Sequence, residues 1–104
     1  MTVLDRAHFD HMTGADRALQ IEILGLFRAQ VAGWTAAFTG APGWRDAVHT
    51  LKGSARGIGL AQLAEACEAA ERMADAESAA ALAQVRSALD AALAALDQFA
   101  ADAA

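Results

Sequence analysis

Apolar residues recur every three or four positions along most of this chain, which is the spacing of one face of an α-helix. Four long stretches show the pattern, and each is long enough for several helical turns. The apolar positions are Leu24, Phe27, Val31, Trp34 and Phe38 in the first stretch; Val48, Leu51, Ala55 and Ile58 in the second; Leu60, Leu63, Cys67, Ala70 and Ala74 in the third; and Leu82, Val85, Leu89, Leu93, Leu96 and Phe99 in the fourth. The pattern therefore predicts four amphipathic helices.

Breaks in the pattern mark where these helices begin and end. A short extra helix is expected over residues 4–12, and the first long helix is expected from near Asp16 to about residue 39. Glycine and proline make residues 40–43 the clearest break, because glycine suits a helix C-terminus and proline suits a first helical turn. The other breaks lie at residues 13–14, 57–59 and 74–78.

Short connections between long helices favour antiparallel neighbours. We therefore predict an all-α fold, an antiparallel up-and-down four-helix bundle with a short extra N-terminal helix. Its 104 residues suffice for one modest core, so a single domain spanning residues 1–104 is expected.

Composition narrows the classes of function. The net charge of −5 and the lack of a basic run disfavour nucleic acid as a partner. The single cysteine excludes an intrachain disulfide and is compatible with a reducing compartment. No uninterrupted apolar run reaches the roughly 18 residues of a membrane span, and the N-terminus lacks the pattern of a signal peptide. We expect a soluble, cytoplasmic protein that does not bind membranes.

The most informative segment is HTLKGSARGIG, which starts at His49 in the second of the four long predicted helices. On a helical wheel His49 lies about 140° from the centre of the apolar stripe, so its imidazole is expected in solvent. Lys52, Gly53 and Arg56 fall on or beside the same face. An exposed imidazole flanked by cations indicates a site for an anionic group, and phosphate is the leading candidate.

This segment resembles the signature of histidine-containing phosphotransfer (HPt) domains. Gly59, Leu63, Cys67 and Glu71 also stand at the offsets from His49 that the signature has. The resemblance implies a carrier in a two-component phosphorelay, in which His49 accepts a phosphoryl group from an aspartate of one receiver domain and passes it to another. The implied partners are receiver domains of response regulators or hybrid histidine kinases. The receiver would supply Mg²⁺, and this chain would hold neither a metal nor an ATP site.

Two neighbours of His49 receive roles on chemical grounds. Lys52 is either an ordinary solvated cation or a charge partner for a phosphoryl oxygen, and its position at i+3 favours the charge partner. Gly53 costs about 0.8–1 kcal/mol inside a helix relative to alanine, so something should offset it. We expect that it leaves room for the aspartate of a partner to reach the ring.

Three further residues have supporting roles that are less specific. Ser54 is expected to bond to the backbone of its own helix rather than to phosphate. Arg56 contributes either to partner docking or to a surface ion pair. The resemblance implies that Glu71 faces His49 or Lys52 and orients one of them, whereas composition alone would make it a solvated glutamate.

Two other interpretations stay open. The chain could be the dimerisation and phospho-acceptor module of a histidine kinase, or an interaction bundle without catalytic function. One complete set of bundle helices favours a monomeric carrier over a dimeric module. Cys67 is expected to be buried, and a metal site at His8 and His11 is disfavoured because a third strong ligand is not evident.

Overall fold

The computed structural model describes residues 3–38 and 42–103, and this part of the chain forms five α-helices and no strand. The helices are α1 (Arg6–Thr13), α2 (Arg17–Ala36), α3 (Trp44–Ile58), α4 (Ala61–Glu71) and α5 (Ser78–Ala103), with a 3₁₀ turn at Asp75–Glu77. Helices α2 to α5 form an antiparallel four-helix bundle, and α1 is the short extra helix. The predicted fold class is confirmed.

Aspartates fix the starts of the first two helices. The Asp5 carboxylate accepts a hydrogen bond from the backbone N–H of His8, and the Asp16 carboxylate accepts one from Leu19. Both aspartates are N-caps, so they lie just outside the helices. The predicted start of α1 at residue 4 is therefore two residues early. Gly14, in the left-handed conformation at φ 63°, ends α1.

The break between α2 and α3 differs in detail from the prediction. Helix α2 ends at Ala36, and the predicted end near residue 39 lies outside the described residues, as do residues 40 and 41. Pro42 lies in the turn before α3 and not in its first helical turn. Gly43 is the N-cap at φ 97°, and α3 starts at Trp44. His49 is consequently in the second turn of its helix.

One hydrophobic core runs through the bundle. All four predicted stripe residues of α3 are buried, and so are most of those on the other helices. Val31 and Leu93 are only partly buried. Ala74 is exposed, because α4 ends at Glu71, three residues before it.

The last helix is apolar enough to raise the question of a membrane span. The segment Asp75–Asp102 reaches a mean hydropathy of 1.3 over an 18-residue window, although charged residues interrupt it. Alanine, on both the buried and the exposed faces, raises this average. The larger apolar side chains, Leu82, Val85, Leu89, Leu96 and Phe99, are buried in the core, as expected for the core helix of a bundle.

Arginines from other helices bind the C-terminal carbonyls of α2 and α4. Neither helix has a basic residue in its own last turn, and neither is followed by a left-handed glycine cap. Arg86 of α5 donates to the carbonyls of Thr35 and Phe38 at the end of α2. Arg45 of α3 donates to carbonyls at the end of α4. Carbonyl groups that a helix cannot satisfy itself are thus paired across the bundle.

Candidate functional site

His49 projects from the solvent-facing side of α3. Its neighbours Val48 and Leu51 are fully buried, whereas 69% of the His49 side chain is exposed. The wheel prediction of an imidazole directed away from the core agrees with this geometry. The ring is open to a molecule that approaches from solvent.

A carboxylate from the neighbouring helix holds one side of the ring. Glu71, the last residue of α4, places Oε2 3.2 Å from Nδ1 of His49. Its other oxygen, Oε1, lies 2.8 Å from Nζ of Lys52. Glu71 therefore contacts both residues that the resemblance offered as alternatives.

The protonation state of Glu71 determines which ring nitrogen is free. Partial burial disfavours the charged carboxylate, but hydrogen bonds and charges from Lys52 and His49 outweigh it and lower the pKa of Glu71 below its ordinary value. Glu71 is thus ionised at neutral pH and can only accept hydrogen bonds. In the neutral imidazole, Nδ1 must then carry the proton that it donates to Glu71. Nε2 is left with its lone pair free.

Lys52 is less exposed than an ordinary surface lysine. Only 13% of its side chain is exposed, and its ammonium lies against the Glu71 carboxylate. An ammonium has three N–H donors, so this contact leaves donors for a further anion. Because Glu71 binds both groups, the positive charge of Lys52 is held on the same side of α3 as the His49 ring.

Gly53 faces open space. A Cβ built on this residue would meet no atom within 4 Å in the described part of the chain, its own helix backbone aside. Packing therefore gives no reason for glycine at this position. Gly53 lies about 40° from His49 around the helix, so its lack of a side chain leaves the surface beside the ring bare.

Arg56 and Ser54 lie outside the contacts of Glu71. Arg56, which is 56% exposed, reaches Glu68 at 3.4 Å, a distance and exposure typical of weak surface pairs. Ser54 faces a groove between α1, α2 and α3. Its hydroxyl makes no hydrogen bond to the described residues, so the expected bond to the helix backbone is not observed.

The groove beside Ser54 is an apolar surface that the sequence analysis did not single out. It has a volume of about 380 Å³, and its walls include Met12 of α1 and Leu26 of α2, which are 59% and 60% exposed. Gly57 of α3 also lines it. The sequence signal that could have revealed this groove is an apolar residue of α2, Leu26, that lies outside the apolar stripe facing the core.

Cys67 does not join the site as a reactive group. Cys67 is fully buried, and burial, followed by the nearby Glu71 charge, raises the pKa of its thiol to about 11. It is therefore a buried apolar residue and not a nucleophile. Within residues 3–38 and 42–103, no cluster of three histidine, cysteine or acidic residues is suited to a metal ion.

Comparison with known proteins gives a family match and a similar solved structure. The family profile described as Hpt domain matches residues 10–99. The chain is also similar to the crystal structure of histidine phosphotransferase ShpA from Caulobacter crescentus, with 39% sequence identity and a TM-score of 0.80. This similarity covers 97% of the present chain and 93% of the ShpA chain. The curated proteins contain no match.

Two glycines, Gly53 beside His49 and Gly59 at the C-terminal end of α3, should respond oppositely to alanine. Gly53→Ala should raise the free energy of unfolding by up to about 1 kcal/mol, because it removes backbone entropy where there is room for a methyl group. Gly59→Ala should lower it, because φ is +97° there and the new Cβ would lie 3.0 Å from the carbonyl oxygen of Asp5. Urea denaturation of both variants measures the contrast. Destabilisation by Gly53→Ala would show that this surface is packed in solution.

Proposed function

Because the chain belongs to the Hpt domain family, we propose that it carries a phosphoryl group on Nε2 of His49 between aspartates of receiver domains. The observation that carries the proposal is the exposed imidazole whose Nδ1 is held by Glu71. This contact orients the ring and leaves the second nitrogen as the nucleophile. ShpA, which is similar to this chain over nearly its whole length, is described as a histidine phosphotransferase.

The transfer needs few groups from this chain. The Nε2 lone pair attacks phosphorus in the aspartyl phosphate of a receiver, the bond from phosphorus to the aspartyl oxygen breaks, and the aspartate leaves as a carboxylate. The phosphorylated ring retains the Nδ1 proton and is positively charged, and the ionised Glu71 stabilises that charge. Attack by the aspartate of another receiver reverses the steps. Such a loose, in-line transfer depends mainly on positioning and charge neutralisation.

Lys52 supplies the charge neutralisation. Its ammonium is held beside the ring by Glu71 and still has donors for a phosphoryl oxygen. Glu71 is shared between the ring and the ammonium and is not free for a metal ion. We therefore assign Mg²⁺ to the receiver, as the resemblance implies. The chain acts as a phosphoryl carrier and does not use an ATP site of its own.

We propose that the receiver docks on the side of α3 that carries Gly53 and Gly57, where the helix has no side chains. Gly53 and Gly57 lie about 40° and 80° from His49 around the helix, in the direction of the apolar groove. Because Gly57 also lines that groove, the surface is continuous from the imidazole to Met12 and Leu26. Arg56 contributes a cation at the edge of this surface. A weak ion pair such as its contact with Glu68 can be exchanged at low cost on docking.

The alternative of a kinase dimerisation module is testable by its oligomeric state. That module would build its bundle from two chains, whereas the four bundle helices described here come from one chain. We propose a monomeric carrier in the cytoplasm, where a free buried thiol such as Cys67 stays reduced. Sedimentation analysis together with a phosphotransfer assay separates the two interpretations.

His49→Gln should abolish phosphate acceptance from phosphorylated receiver domains of the host and leave the fold intact. An exposed side chain changes stability by under about 0.5 kcal/mol in most cases, so helicity and Tm should stay close to the parent values. Acid-labile, alkali-stable phosphate measures the product. Because His8 and His11 remain in the variant, they serve as internal controls. Parent-level labelling of His49→Gln would contradict the assignment.

Lys52→Ala should slow transfer both into and out of the chain. One charge-assisted contact of about 1.5–3 kcal/mol corresponds to roughly 10- to 100-fold if it is fully realised in the transition state. Solvent near His49 should keep the effect toward the lower end of that range. Rapid-quench transfer rates and the lifetime of the phosphohistidine measure it, with Arg28→Ala as the control for loss of a surface cation outside the site and the docking surface. Parent values of both quantities would make Lys52 a structural partner of Glu71 only.

Gly53→Leu should block receivers more than small donors. The new side chain would enter open solvent, so Tm should stay or rise, while the surface beside the ring becomes occupied. Labelling by a phosphorylated receiver should fall sharply, whereas any labelling by acetyl phosphate should fall less. An equal loss with both donors would indicate a damaged nucleophile and not obstructed docking.

A further inference from the structure

The end of α4 is held by a residue from α3. The last carbonyls of any α-helix lack partners within that helix, and α4 has neither a left-handed glycine cap nor a basic residue in its last turn. Arg45 supplies the missing donors. Its Nη1 lies 2.6 Å from the carbonyl oxygen of Glu71, and its Nη2 donates to the carbonyl of Met73.

The Arg45 guanidinium is itself held in place. It lies over the indole ring of Trp44, 4.5 Å from the ring centroid, and Trp44 is only 3% exposed. Its Nε lies 3.2 Å from a carboxylate oxygen of Asp75 in the turn that follows α4. All three guanidinium nitrogens are therefore directed at the end of α4 and the next turn, and the aromatic ring limits other orientations.

Glu71 links this cap to the phospho-acceptor. Its backbone carbonyl accepts from Arg45, while its carboxylate accepts from His49 and forms an ion pair with Lys52. Arg45 precedes His49 by four residues, one turn along the same helix. Arg45, at one end of this turn of α3, thus binds the backbone carbonyl of Glu71. His49, at the other end, contacts the Glu71 carboxylate.

We infer that Arg45 is a positioning residue for phosphotransfer, which holds the C-terminus of α4 so that the Glu71 carboxylate stays against Nδ1 of His49. The inference rests on the proposed role of His49 as phospho-acceptor. Arg45 does not touch the phosphoryl group, because its guanidinium lies over Trp44 and is directed at the end of α4. It acts through Glu71 on the orientation and tautomer of the ring.

Arg86 provides a matched control. It also binds the C-terminal carbonyls of a helix, those of Thr35 and Phe38 at the end of α2, and it also lies over an aromatic ring, that of Phe38, at 5.5 Å. The carbonyls that it binds lie at the end of α2 and not at the Glu71 end of α4. Arg45→Gln and Arg86→Gln therefore remove similar helix caps. Only the cap that Arg45 makes is connected to His49, through Glu71.

The test compares both variants with the parent by two measurements. The ¹⁵N chemical shifts of the His49 ring, recorded at neutral pH without phosphate, report the tautomer. Arg45→Gln should move the ring from the Nδ1–H form toward a mixture of both tautomers and slow receiver-to-His49 transfer about three- to tenfold, as partial loss of a charge-assisted contact allows. Arg86→Gln should leave both quantities at parent values, whatever its effect on Tm. Arg45→Lys keeps the positive charge but lacks the planar guanidinium that binds several acceptors at once, so it should restore part of the transfer rate.

Three results would overturn the inference. The first is an unchanged ring spectrum and rate in folded Arg45→Gln or, if that variant does not fold, in Arg45→Lys. The second is equal changes in the Arg86 control, which would indicate a general effect of stability. The third is slower transfer with an unchanged tautomer and a shorter phosphohistidine lifetime, which would indicate direct contact with phosphate. If the parent protein accepts no phosphate, the proposed function fails, while the ring spectra still test the coupling of Arg45 to His49.

Discussion

The shared carboxylate of Glu71 is the contact on which the site depends. It joins two helices, and it has to be both ionised and correctly placed to bind an imidazole and an ammonium together. Its placement follows from the turn at Gly59. His49 lies ten residues before this glycine, about 15 Å along α3, and Glu71 lies twelve residues after it, about 18 Å along the returning chain. The antiparallel return therefore brings the two side chains to the same level of the bundle.

The same contact explains why neighbouring charges differ in character. The Glu71 side chain is 24% exposed and that of Lys52 is 13% exposed, so solvent screens this pair less than the pair of Arg56 and Glu68. The carboxylate is thus a structural bridge between α3 and α4 and, in the proposed function, also a group that acts on the phosphoryl carrier.

Hydrophobic periodicity was sufficient to predict the helices and most of the core. Periodicity could not predict which glutamate of α4 meets His49, because Glu65, Glu68 and Glu71 differ only in their register against α3; the resemblance to HPt domains supplied that. Periodicity also does not show that the Lys52 side chain is only 13% exposed, because this follows from its contact with Glu71 of the neighbouring helix. A helical wheel gives a direction but does not show what lies in that direction.

Contacts between residues far apart in the chain could not be predicted from the sequence pattern. Helices α2 and α4 end without a glycine C-cap and without a basic residue in the last turn, and no local pattern shows that Arg86 and Arg45 bind their last carbonyls instead. Gln20 is a similar case. Its amide is fully buried, where Asp10 and Thr13 accept its hydrogen bonds, and a polar residue gives no periodic sign that it will enter a core.

The bare surface of α3 has a consequence for the motion of the site. Gly53 and Gly57 occupy successive turns after His49, and glycine gives a helix backbone more freedom than any residue with a side chain. Neither glycine has a neighbour within 4 Å that an added Cβ would meet in the described residues, so tertiary packing does not restrain the solvent side of these turns. The backbone amides there should therefore open more readily than those of Leu51 and Ala55 on the buried side. The surface on which we propose that a receiver docks is therefore expected to be more mobile than the buried side of the same helix.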